Sequence, residues 1–169
     1  MGDPFETLFK GTDNLIEAGS WQVLHVAPTA EEPDAIPFSY TIGLYTHGAP
    51  ELILIGGVYP GTAQSLLNTL GERLVMRDIK PPYDGHVAHD VAQALPLRFR
   101  ELGQLNRFKD EAEFEYFGYL IRFSNTRQLK YPAEHISAVQ VLWPDANGVF
   151  PDEPGYDASM PQTLLQGAR

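Results

Sequence analysis

Six side chains with chemical capacity fall into two stretches. Tyr40, Thr41, His47 and Glu51 lie within residues 40–51, and Trp143 and Asp145 stand near the end of the chain. Two hydroxyls, an imidazole and two carboxylates can orient a small polar ligand, with the indole as a flat apolar wall. Histidine titrates near neutrality, so His47 beside Glu51 or Asp145 could act as a general base on a polar substrate. The same residues also have a plainer reading. Gly43, Gly48 and Pro50 suit a turn, Thr41 suits a strand, and Trp143 suits a core.

Three further groups carry weaker chemistry. On a helix, His86 and His89 share a face and could hold a divalent metal with Asp84 or Asp90. On a strand they point to opposite sides, and no metal site is expected. Gly56-Gly57-Val58-Tyr59-Pro60-Gly61-Thr62 joins an apolar run to a helix start, where backbone amides can bind phosphate. It matches neither the dinucleotide fingerprint nor the P-loop, and no lysine follows Gly61, so turn geometry is the better reading. Asp145, Asn147, Asp152 and Glu153 are rich in oxygen but lack EF-hand spacing, which suits a solvated turn. No pattern in the chain specifies a cofactor.

The elements that must position these groups follow from periodicity. Residues 38–44 alternate apolar and polar, and Leu52 to Ile55 are continuously apolar, so a central hairpin is expected around His47-Gly48. Ahead of it lie a short helix over 12–19, with Thr12 or Asp13 as cap and Gly19 as closing residue, and a strand over 21–27. Ala63, Leu66, Leu67, Leu70, Leu74 and Val75 recur at helical spacing, with Thr62 as the expected cap. Gly71 inside that helix is either tolerated at a cost of about 1 kcal/mol or a site of close packing. Strands are expected over 86–91, 95–102 and 138–143. Asp110 followed by Glu113 has the pattern of a helix start, with Phe114, Phe117, Leu120 and Ile121 inward. Thr163 to Leu165 suit one helical turn. The class expected is α+β: a largely antiparallel twisted sheet of five to six strands with two main helices on one face. A strand–helix–strand crossover around 63–75 is a further option.

A chain of 169 residues suits one domain, with its core over 12–157 and a tail over 158–169. It contains no cysteine, which removes disulfides, thiolate catalysis and thiolate metal sites and suits a reducing cytoplasm. No secretory signal or membrane-spanning run is evident. The formal charge of −10 disfavours nucleic acid and anionic membranes as partners.

The run Phe38-Ser39-Tyr40-Thr41-Ile42-Gly43-Leu44, with His47-Gly48 and Pro50-Glu51-Leu52, resembles a bacterial family known as domain of unknown function 4262. Trp21, Leu66-Leu67-Asn68 and Gln140-Val141-Leu142-Trp143-Pro144-Asp145, with Gly148, Phe150 and Pro151, extend the resemblance over most of 15–157. It implies a small bacterial protein without an established activity. Asp152 departs from the aromatic residue common at that place, which would make a pocket edge there more polar.

With no strong catalytic motif, the expectation is a binding or regulatory module for a small polar ligand or a protein partner. The alternative is a small enzyme using His47 with Glu51 or Asp145 as acid and base.

Overall fold

The computed structural model describes residues 5–92, 95–105, 115–127 and 136–165. The helix start expected at Asp110–Glu113 lies outside them. The described elements are α1 (Glu6–Glu17), β1 (Gln22–Val26), β2 (Phe38–Ile42), β3 (Glu51–Ile55), α2 (Pro60–Val75), β4 (Val87–Ala92), β5 (Leu95–Gln104), α3 (Gly118–Thr126) and β6 (Ser137–Leu142). The class is α+β. The strands form one six-stranded sheet in the order β1-β2-β3-β6-β5-β4. Every neighbouring pair is antiparallel except β3 and β6, which run parallel, so the sheet is mixed.

The expected hairpin is present. Phe38 opposes Ile55 and Tyr40 opposes Ile53 across β2 and β3. Alternation sends Phe38, Tyr40, Ile42, Ile53 and Ile55 into one apolar layer with Phe9 and Ile16 of α1 and Leu120 and Phe123 of α3. Leu52, Leu54, Val139 and Val141 point the other way, into a second layer with Ala63, Leu67, Leu70 and Leu74 of α2. Each fully buried leucine of that stripe contributes about 1.5–3 kcal/mol.

Helices therefore cover both faces, correcting the one-face expectation. The reason lies in β3 and β6, which are apolar on both sides and need cover on both. Among the described residues three helices, not two, pack on the sheet. The crossover option around α2 is realised: α2 leads from β3 to the far edge strand β4, which runs in the same direction, with β6 and β5 lying between the two.

Element ends depart locally. α1 begins at Glu6, which leaves Thr12 inside the helix, where its hydroxyl bonds the Leu8 carbonyl at 3.1 Å. Gly19 closes the helix as expected, with φ +78° and its amide on the Ile16 carbonyl at 3.0 Å. α2 starts one turn early, with Tyr59 at the cap position and Pro60 as first helical residue, so Thr62 caps nothing. Gly71 is a close-packing site, since a Cβ there would lie 3.0 Å from the Trp21 ring. No helix forms at 163–165. No helix among the described residues is long and apolar enough to cross a membrane.

Candidate functional site

The hairpin turn is built around Glu51, whose side chain is fully buried. The Gly43 amide donates to both carboxyl oxygens at 3.1 Å, the Tyr45 amide to Oε1 at 3.0 Å, and the Thr41 hydroxyl to Oε2 at 3.2 Å. Thr41 Oγ1 accepts the Leu52 amide at 2.8 Å, continuing the hairpin where the backbone ladder stops. Gly43 has φ +121°, and a Cβ there would come within 3.0 Å of Ile16, so only glycine fits. Burial pushes the Glu51 carboxyl up to about 8, against the opposing pull of the Tyr45, Thr41 and Gly43 donors. Thr41 and Glu51 thus meet as expected, but in support of a short 3-10 turn over Leu44–His47. His47 packs edge-on against Trp21, 6.1 Å between centroids, and none of the hydrogen bonds among the described residues joins it to Glu51. Its Nε2 is buried without a partner.

Trp143 and Asp145 do not join this group. The parallel register sets Glu51 beside Ala138 and Ile53 beside Gln140. The chain after β6 therefore emerges past Ile55, at the end of β3 opposite to Glu51. Tyr40 is further separated, because its ring lies in the α1/α3 layer and Trp143 lies in the α2 layer. Burial drives the Tyr40 phenol well above its usual range. Tyr40, the Thr41–Glu51 turn and Trp143 occupy three places, so the pocket expected from the sequence is not assembled.

Asp145 organises its own turn. Oδ1 accepts the Asn147 and Val149 amides at 2.9 and 3.0 Å, and Oδ2 accepts the Asp157 amide at 2.9 Å. These donors, Val149 first, hold its carboxyl below the usual range. Asp152 and Glu153 both pair with Arg98, whose guanidinium lies over the Phe150 ring at 4.2 Å. The oxygen-rich set is thereby divided, and the polar residue at 152 faces a cation.

His89 lies on β4 and His86 immediately ahead of it, on a strand and not a helix. Asp90 is paired with Arg73 at 2.6 Å, and Asp84 accepts the Glu101 amide at 2.9 Å. Among the described residues no three ligating side chains converge.

Another polar cluster, half-buried at His25 and buried at Ser39, lies elsewhere, and sequence reasoning missed it. His25 of β1 and Ser39 of β2 are directly opposed across the antiparallel pair. Their Nδ1 and Oγ lie 2.7 Å apart, and Gln64 Oε1 of α2 lies 3.5 Å from His25 Nε2. His25 and Ser39 line a cleft of about 280 Å³. Val26, Ala27, Pro37 and Phe38 form one wall, and the turn from Gly56 to Pro60 forms the other. Trp143 backs that turn, pressed against Gly56. The only signal in the sequence was Ser39 among the polar positions of an alternating strand; its partner on β1 lies across a long loop.

The architecture defines a small α+β domain with a mixed six-stranded sheet between two helical layers. The chain belongs to the family described as domain of unknown function DUF4262, whose model matches residues 15–157. No curated protein and no solved structure matches it. The signature segments are recognisable as structure. The Trp21 indole donates to Asn68 Oδ1 at 3.0 Å, tying β1 to α2, and the glycine at 43 seats a close approach to Ile16.

Proposed function

We propose that this protein is a binding module for a small polar ligand, seated in the cleft between β1, β2 and the β3–α2 turn. The observation that carries the reading is the chemistry of the cleft: a mostly apolar lining with one hydrogen-bonded polar pair in it. Thr41, Glu51 and Asp145, by contrast, spend their oxygens on backbone amides and turn geometry. The formal charge of −10 supports a small molecule over nucleic acid or an anionic membrane. The absence of cysteine and the family's bacterial character support a bacterial cytoplasm.

Native mass spectrometry of the protein isolated from its source cells, set against the denatured mass, tests the reading. A retained organic mass is expected. It should be lost in Gly57→Trp, a bulky change at a cleft-lining position where an added Cβ would meet nothing within 4 Å. A bare wild-type mass, or a ligand retained by the variant, would overturn the proposal.

A further inference from the structure

We infer that Ser39 is a nucleophile for acyl transfer, with His25 as its general base and small carboxylic esters as its substrate class. The inference rests on the cleft being the ligand site and adds a reaction to it. Gln64 Oε1, a carbonyl oxygen that accepts, lies 3.5 Å from His25 Nε2, and the contact fits the tautomer with the proton on Nε2. Nδ1 is then the acceptor, and the Ser39 hydroxyl donates to it across 2.7 Å. A serine hydroxyl held on an imidazole whose other nitrogen is oriented by a third side chain is the arrangement an activated nucleophile requires. Pro60, the first residue of α2, borders the same cleft, so the positive end of this 16-residue helix favours charge developing on a substrate oxygen there.

The step balances without a cofactor. Ser39 Oγ bonds to the ester carbonyl carbon as its proton passes to His25 Nδ1. The tetrahedral oxyanion collapses, the carbon–alkoxide bond breaks, and His25 returns the proton to the departing alcohol. Water then attacks the acyl-serine, His25 takes its proton, and Ser39 Oγ leaves carrying that proton, releasing the carboxylic acid. A cleft of about 280 Å³ suits a short acyl chain. Gln64 is neutral, so it positions the imidazole without stabilising its charged form. Acylation should therefore be slow.

The test exposes the full chain to a small alkyl fluorophosphonate and reads intact mass, with the adduct mapped by peptide fragmentation. One adduct on Ser39 is expected, absent in Ser39→Ala and formed at least tenfold more slowly in His25→Ala. Gln64→Ala should slow labelling and Gln64→Glu should accelerate it, a gain that a purely structural glutamine would not produce. A parallel amide-shift titration with butyrate, the product of a short ester, separates the two readings. Shifts confined to residues 25–27, 37–39 and 56–60 without an adduct would overturn the nucleophile and leave the binding reading standing. Absence of both would overturn the two together.

Discussion

The indole of Trp143 lies so close to the Cα of Gly56 that a side chain at 56 has no room. A Cβ built there would sit 2.6 Å from Cζ2 of the ring and nearer still to Cη2. Gly56 also has φ +147°, where side-chain-bearing residues are strained. The exit from β3 is thus fixed by two independent demands on one residue. Gly56→Ala should lower unfolding free energy by about 2–3 kcal/mol, as overpacking in a tight core does. Urea unfolding read by tryptophan fluorescence checks it, and an unchanged midpoint would sink the argument.

Glu51 should make the fold less stable as pH rises. Its carboxyl titrates near 8 in the folded chain, above its value of about 4.3 when unfolded. The folded state then holds the proton more tightly, so the stabilisation is complete below about pH 4.3 and is lost as pH rises toward 8. Glu51→Gln keeps an acceptor for the Gly43 and Tyr45 amides and removes the titration. Unfolding midpoints at pH 5 and pH 8 should differ in the wild type and nearly coincide in the variant.

Asp145 acts in the opposite sense. Its carboxyl is held low by three backbone amides, so its contribution is present above the unfolded value and is lost as pH falls through the lowered one. Asp145→Ala frees the Asn147, Val149 and Asp157 amides. Hydrogen exchange at those three amides should accelerate at neutral pH while exchange in β2 stays slow. Uniform protection in the variant would remove Asp145 from this role.

The tail is fastened by two glutamines working in opposite directions. Gln162 of the tail accepts the Trp143 amide at 3.2 Å and donates to the Trp143 carbonyl at 2.8 Å. Gln140 of β6 donates to the Thr163 carbonyl at 2.6 Å and accepts the Leu165 amide at 3.0 Å. Each side-chain amide thus pairs with main-chain groups as a neighbouring strand would. Gln162→Ala should cost about 1–3 kcal/mol by stranding buried main-chain groups of Trp143. It should also open the segment after Pro161 to limited proteolysis. Resistance equal to wild type would argue against the clasp.

Much of the fold was legible because periodicity is local. The hairpin over β2 and β3, the stripe of α2 and the strand at β6 follow from spacing alone. Pairing direction was not. Nothing within Ala138–Trp143 says that it runs parallel to β3, and that direction separates Trp143 and Asp145 from Glu51. The Thr41–Glu51 contact was legible because ten residues of hairpin enforce it. His25 and Ser39 were not, because their meeting depends on a register set across the loop between β1 and β2. Thr163–Leu165 looked helical by composition, but Gln140 offered its backbone other partners.

The position of β6 has a consequence for synthesis. Of the described strands it comes last in the chain, yet it lies between β3 and β5, with β1 and β2 on one side and β4 on the other. Until it emerges, the largely apolar β3 and the alternating β5 each have an unpaired edge, the condition that invites association with other chains. During synthesis the β1-β2-β3 and β4-β5 groups therefore stay unjoined until β6 is made.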